Sequence, residues 1–190
     1  MGLLLLAAAL FWAGFNLWDS WRAERAAQNI LGVISKSQDR KSPSETVWDP
    51  DMELPCVQVD GISCVGILEI PALELSLPVL DPCTAENLRK GPCRYGGTPY
   101  EEGFVVAGHN YRTHFGMLQN LRSGDMIYFT DLNQNKFSYS VETFQVLSGN
   151  AVEEILTDEW DLTLFTCTYS GQSRFAVRCL SQGESSEKNS

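Results

Sequence analysis

The chain has 190 residues, of which 44% are hydrophobic and 20% charged, enough apolar material to build the core of one ordinary domain and too much for a disordered tail. Fourteen Lys and Arg face 24 Asp and Glu, a formal charge of -10, which excludes a nucleic-acid binder because affinity for a phosphate backbone comes mostly from cationic side chains. The 15 glycines follow no G-X-Y period and no segment recurs at a fixed interval, so collagen, solenoids and propellers are excluded as well.

In chain order, Gly2 to Trp18 carries no charge and as a helix would span about 25 Å. Trp12, Trp18 and Trp21 suit a lipid interface, and the early position of the A-x-A triplet Ala7 to Ala9 argues against signal cleavage, so residues 1–18 are read as an uncleaved transmembrane anchor. Residues 19–64 are read as a juxtamembrane helix, with an apolar stripe of Ala26, Ala27, Ile30, Leu31 and Ile34, followed by a polar linker through Pro50. A strand-rich domain is expected over 65–181, and a polar tail over 182–190. The tail holds no second apolar run, so a single membrane pass with the domain outside the cell is expected.

Within the domain, β-branched and aromatic runs alternate with turn residues and predict seven strands: Val65 to Ile70, Leu75 to Leu80, Phe104 to Ala107, Met126 to Thr130, Phe137 to Leu147, Leu162 to Cys167 and Arg174 to Leu180. The loop Asp131 to Lys136 predicts a hairpin. Ala85 to Lys90, Met117 to Leu121 and Val152 to Leu156 predict single helical turns. Closely spaced strands without repeated helical returns favour a mainly β, antiparallel barrel or sandwich over a parallel sheet.

Three residues stand out as candidate chemistry. His109 follows a strand and a glycine, Cys167 ends a strand, and Arg174 opens the next. If the last two strands form a hairpin in which 167 faces 174, Arg178 faces Thr163, about 13 Å further along. A free thiol with a pKa near 8.5 is only a few per cent thiolate at neutral pH, so a nucleophilic Cys167 needs a neighbour such as an imidazole, and an always-charged guanidinium can hold an oxyanion or a carbonyl. Arg178 is read instead as a solvated strand arginine. Glu101, Glu102, Glu153 and Glu154 are read as solvated acidic pairs, and His109 with His114 lacks the helical context and the Cys-x-x-Cys partner of a zinc site, so no metal is expected. Cys83 with Cys93, or Cys56 with Cys64, could be bridged, and both alternatives stay open.

The segments Gly108-His109-Asn110, Thr163 to Tyr169 (TLFTCTY), Ser173 to Val177 (SRFAV) and Gly66 to Pro71 (GILEIP) resemble, in that order, motifs of the sortases. The resemblance covers about Val65 to Leu180 and is similar to the class D or unassigned clostridial type, with some class B-like features. It implies an eight-stranded β-barrel preceded by the transmembrane helix, with Cys167 as nucleophile, His109 as acid/base and Arg174 as substrate or oxyanion binder. It further implies a membrane-anchored cysteine transpeptidase without a cofactor, acting on LPxTG-like sorting-signal proteins. A thioacyl-enzyme would pass the protein to an amine of a peptidoglycan precursor or a pilin. A strand near Arg94 to Thr98 is expected to complete the barrel. A thiol peptidase using the same residues, or a non-catalytic surface binding module with a structural Cys167, are the competing readings.

Overall fold

The computed structural model describes residues 53–167 and 172–182, together with Arg25, Gln28, Asn29, Leu31 and Gly32, which are helical. The expected anchor and the polar tail beyond 182 lie outside the described residues. Among the described residues no helix is long and apolar enough to cross a membrane.

Among the described residues nine strands follow one another: β1 (Val57–Val59), β2 (Ile62–Ile70), β3 (Leu75–Asp81), β4 (Cys93–Gly96), β5 (Phe104–Gly108), β6 (Met126–Asp131), β7 (Lys136–Ser148), β8 (Leu162–Cys167) and β9 (Ser173–Ser181). They form a single sheet in the order β1-β2-β3-β4-β5-β8-β9-β7-β6, and β6 pairs back onto β2. That last pairing closes β2 to β9 into an eight-stranded barrel, leaving β1 as a flap that pairs Val57 with Cys64 and Val59 with Ile62. The seven strands expected from alternation are all present, and the eighth is β4, whose short CRYG run overlaps the expected 94–98 stretch. The flap strand had no counterpart in the sequence reading, because three residues beside Asp60-Gly61 carry too little pattern to register.

Two strand pairs differ from the antiparallel expectation. β3 pairs β4 in parallel through Leu80 and Cys93, and β5 pairs β8 in parallel from Phe104–Leu162 to Gly108–Thr166. Parallel neighbours need a crossover rather than a hairpin. The first crossover carries the four-residue helix Ala85–Leu88, capped by the Thr84 side chain accepting from the Asn87 N–H. The second is made by the β6–β7 hairpin, which forms the far wall of the barrel before the chain returns to β8.

Every second residue of the long strands points inward. Leu68, Ile70, Leu77, Val79, Phe104, Val106, Ile127, Phe129, Val141, Leu162, Leu164 and Val177 form the interior cluster, and each such fully buried side chain contributes roughly 1.5–3 kcal/mol. A second apolar layer lies on the outside of the barrel, where Val105, Ala107, Phe165 and Ala176 are covered by Ile155 from the helix Val152–Ile155 in the connection between β7 and β8. This layer explains why β5 is buried along its whole length. At the turn of the β6–β7 hairpin, buried Asp131 accepts from the Tyr100 hydroxyl at 2.7 Å, the Asn133 and Asn135 N–H groups at 2.8 Å, and the Asn135 side-chain amide at 2.7 Å, which offsets the burial of its charge.

Gly108 is required by a close approach. It lies on the inward side of β5, and a Cβ there would sit 2.6 Å from Cγ of Phe115. The segment after β5 folds back so that the Phe115 ring plugs that end of the barrel, held by the Phe115 N–H donating to the His109 carbonyl at 3.1 Å. Gly108→Ala is therefore expected to lower stability by about 1–3 kcal/mol, the range for overpacking, and trimming the ring with Phe115→Leu in the same chain should recover part of that loss. Chemical denaturation of the single and double variants checks this.

Candidate active site

Backbone pairing sets the site. Cys167 lies directly across from Arg174 in the β8–β9 ladder, and Thr163 lies across from Arg178, the register expected from the sequence. On the other side of β8, the parallel ladder with β5 ends at Gly108–Thr166, and the next residues of the two strands are His109 and Cys167. Neighbouring strands are about 4.8 Å apart, so the thiol strand runs between the strand that delivers the imidazole and the one that opens with the guanidinium.

Alternation fixes the face. Leu162 and Leu164 belong to the interior cluster and Phe165 to the outer layer, so Cys167, two residues after Phe165, lies on the outer face. Arg174 shares that face with Ala176, and His109 with Ala107, by the same parity. Cys167 does not face the barrel interior, and all three residues are half-buried. Below them, Ala107, Phe165 and Ala176 make an apolar floor, and the Tyr95 ring meets Phe165 edge-on with centroids 5.1 Å apart. Leu156 reaches across to Gly96, where any side chain would collide with it.

The His109 ring packs against Tyr111 at 4.9 Å between centroids, and Tyr111 packs in turn against His114 at 5.4 Å. The two histidines thus flank one tyrosine, an arrangement that the sequence spacing did not suggest. His114 is fully buried, and neither ring nitrogen has a hydrogen-bond partner. Burial, reinforced by the nearby His109, pulls its pKa down from 6.5 to about 4, so it is neutral at pH 7.

Arg178 corrects the sequence reading most sharply. It is only 1% exposed rather than solvated. Its guanidinium donates to the Thr163 hydroxyl at 2.8 Å, the Gln145 side-chain carbonyl at 2.8 Å, the Ile155 carbonyl at 3.4 Å and the Glu154 carbonyl. Desolvation works against its charge, while Glu159 and Glu154 support it. Those acceptors belong to β7, to β8 and to the connection between them, so one side chain binds the loop carrying Ile155 and Leu156 to the barrel wall. It forms the base of an open cavity of about 380 Å³ also lined by Glu153, Glu159 and Trp160. Glu101, Glu102, Glu153 and Glu154 are exposed. Among the described residues no group of three or more His, Cys, Asp or Glu could hold a metal ion.

A sortase domain model matches residues 68–182, well over half of the chain. Sortase A of Bacillus anthracis is 26% identical over 187 residues, covering 88% of this chain and 85% of that protein. Among solved structures, a sortase D5 transpeptidase of Clostridium perfringens superposes with a TM-score of 0.56 at 24% identity, over 63% of this chain and 79% of its own. A C. perfringens sortase C solved with the C-terminal cell wall sorting motif gives 0.56 at 21% identity, over 82% and 88%. A closed mixed barrel of this order is the fold of a class of cysteine transpeptidases. The chain belongs to that class as a member of the sortase family.

Two outcomes are expected from these surroundings. Between pH 6.5 and about 4 the unfolded chain binds a proton at His114 that the folded chain does not, so stability rises with pH across this window and falls as the medium is acidified, by up to about 3 kcal/mol. His114→Phe should flatten that part of the stability–pH profile measured by urea unfolding. Arg178→Met leaves its buried acceptors without a donor and is expected to lower stability by about 3–5 kcal/mol, with faster proteolysis in the 149–161 connection.

Proposed function

We propose that this sortase cleaves an LPxTG-like C-terminal sorting signal with Cys167 and transfers the protein to an amine of a cell-wall precursor or a pilin. The observation that carries the reading is that a half-exposed thiol lies between the strand ends bearing His109 and Arg174, on one face and above an apolar floor. The Cys167 thiolate attacks the threonine carbonyl carbon, and Arg174 stabilises the charge that develops on the carbonyl oxygen. The carbon–nitrogen bond then breaks, His109 gives a proton to the departing amine, and a thioester to Cys167 remains. An acceptor amine attacks that thioester, its proton passing to His109, and the thiolate is released as the new amide forms. The steps need no cofactor.

The apolar floor of Ala107 and Phe165, bordered by Tyr95 and Leu156, suits the apolar residues of such a signal. The solved C. perfringens sortase C with its sorting motif supports the substrate class. The short connection between β7 and β8, with a single four-residue helix, favours a class D-like enzyme over class B, which places a long helix there. The apolar run 1–18 would hold the enzyme on the outer face of the membrane with a single pass.

Incubating the protein with an LPxTG-type peptide and an amine should yield the ligated amide by mass spectrometry. Cys167→Ala should reduce ligation to background and Arg174→Ala should slow it by roughly 10²–10³-fold, the scale of losing one oxyanion donor. Normal turnover by Cys167→Ala rejects the mechanism, and an acid product in place of the amide, with amine present, assigns a peptidase instead.

A further inference from the structure

Outside the candidate active site, two further thiols are brought together by the chain between β3 and β4. The Leu80 N–H donates to the Pro92 carbonyl at 2.8 Å, Arg94 pairs with Asp81 at 2.8 Å, and the Asn87 side chain donates to the Pro82 carbonyl at 2.9 Å. The Lys90 and Gly91 N–H groups both return to the Asn87 carbonyl. Leu80 is the ladder partner of Cys93, and this tightly folded excursion brings Cys83 onto the buried cluster that contains Cys93, whose own thiol donates to the Gly91 carbonyl at 3.5 Å.

The two thiols differ in access. Cys93 is fully buried beside Val59, Cys64 and Leu80. Cys83 is half-buried, and it packs both on that cluster and on the layer of Val105, Ala107, Phe165 and Ala176 that floors the active-site face. The neighbouring Cys93 side chain draws the Cys83 thiol below its usual pKa, against an opposing effect of burial and Asp81, while Cys83 and burial push the Cys93 thiol up. Cys83 is therefore the sulfur of the pair that a reagent in solution can reach, and the buried Cys93 is positioned to follow it.

We propose that Cys83 and Cys93 are a redox-reversible pair, oxidised to a disulfide by exchange with a low-molecular-weight disulfide, and that the bond fastens the 82–92 excursion beside the active-site floor. The Cys83 thiolate attacks one sulfur of the small disulfide, a mixed disulfide forms, and one small thiolate leaves. Cys93 then gives up its proton to solvent and attacks the Cys83 sulfur, expelling the second small thiolate. Two protein thiols are oxidised and one small disulfide is reduced to two thiols. The proposal does not rest on the transpeptidase reading, because the thiol assigned to that reaction takes no part.

The test uses the full chain carrying Cys167→Ala, incubated with oxidised glutathione, alkylated and digested with trypsin and a glutamate-specific protease. Arg89 and Lys90 lie between the two cysteines, and Glu69 and Glu74 separate Cys83 from Cys56 and Cys64, so the peptides of Cys83 and Cys93 stay joined only if these two are bridged. The expected result is a protein lighter by two hydrogens with the 83 and 93 peptides linked, both reversed by dithiothreitol, and a higher thermal midpoint when oxidised. In the same background Cys93→Ser should trap one glutathione on Cys83, and Cys83→Ser should leave Cys93 unmodified. A stable glutathione adduct on Cys83 while Cys93 is present, a bridge from either cysteine to Cys64 or Cys56, or two unreacted thiols would each overturn the proposal.

Discussion

The arrangement of the site depends on backbone pairing at β8, the strand that ends in Cys167. β8 is hydrogen-bonded in parallel to β5 on one side and antiparallel to β9 on the other. Because side chains alternate with a period of two, a slip of one residue in either ladder would turn Cys167 away from one of its neighbours and drive Leu162 and Leu164 out of the core. The burial of those leucines, of Val106 and of Val177 therefore fixes the position of three polar side chains that contribute little to the core themselves. The core and the candidate site share the same strands and use opposite faces of them.

The outer face has a second division along its length. At one end are Cys167, Arg174 and the strand end bearing His109. At the other, Arg178 is buried under the connection between β7 and β8. Both arginines stand on β9, on the same face, four residues apart. What separates their roles is what lies over them. Arg174 is half-buried, whereas Arg178 is covered by the helix Val152–Ile155 and its guanidinium is occupied by two main-chain carbonyls, a hydroxyl and an amide oxygen. A buried cation with its acceptors satisfied acts as a tether, and the tethered loop places Ile155 on the apolar floor and Leu156 against Gly96.

Much of the barrel was legible in the sequence because its long strands are half-buried or fully buried and carry the period-two signal strongly. Leu162 to Cys167 and Met126 to Thr130 are examples, read within a residue of their ends. The pairing of Cys167 with Arg174 followed from assuming a hairpin. The parallel partnerships were not legible, since β4 offers four residues containing one glycine and joins β3 through a single residue pair. The burial of Arg178 was hidden for a related reason: its acceptors are main-chain carbonyls and the side chains of Gln145 and Thr163, and only the tertiary fold brings them to it. The sequence spacing of His114 to His109 carries no sign of its burial beside Tyr111, which comes from the fold-back of the 111–117 segment onto the barrel end.

Burial also sorts the six cysteines, which composition alone cannot rank. Cys64 and Cys179 are enclosed in apolar surroundings that push their thiols up to about 11 and about 12, so at neutral pH they are inert packing groups. Cys93 is held protonated by the same effect together with its neighbour Cys83. Among the described residues, the thiols with access to solvent are Cys56 on the exposed approach to the flap strand, Cys83 within the excursion between β3 and β4, and Cys167 on the site face. Of these three, Cys167 alone ends a strand opposite an arginine and level with the strand that runs into His109. A barrel can thus carry six cysteines of graded reactivity, because the cost of ionising a thiol inside it leaves first attack to the few positions that solvent reaches.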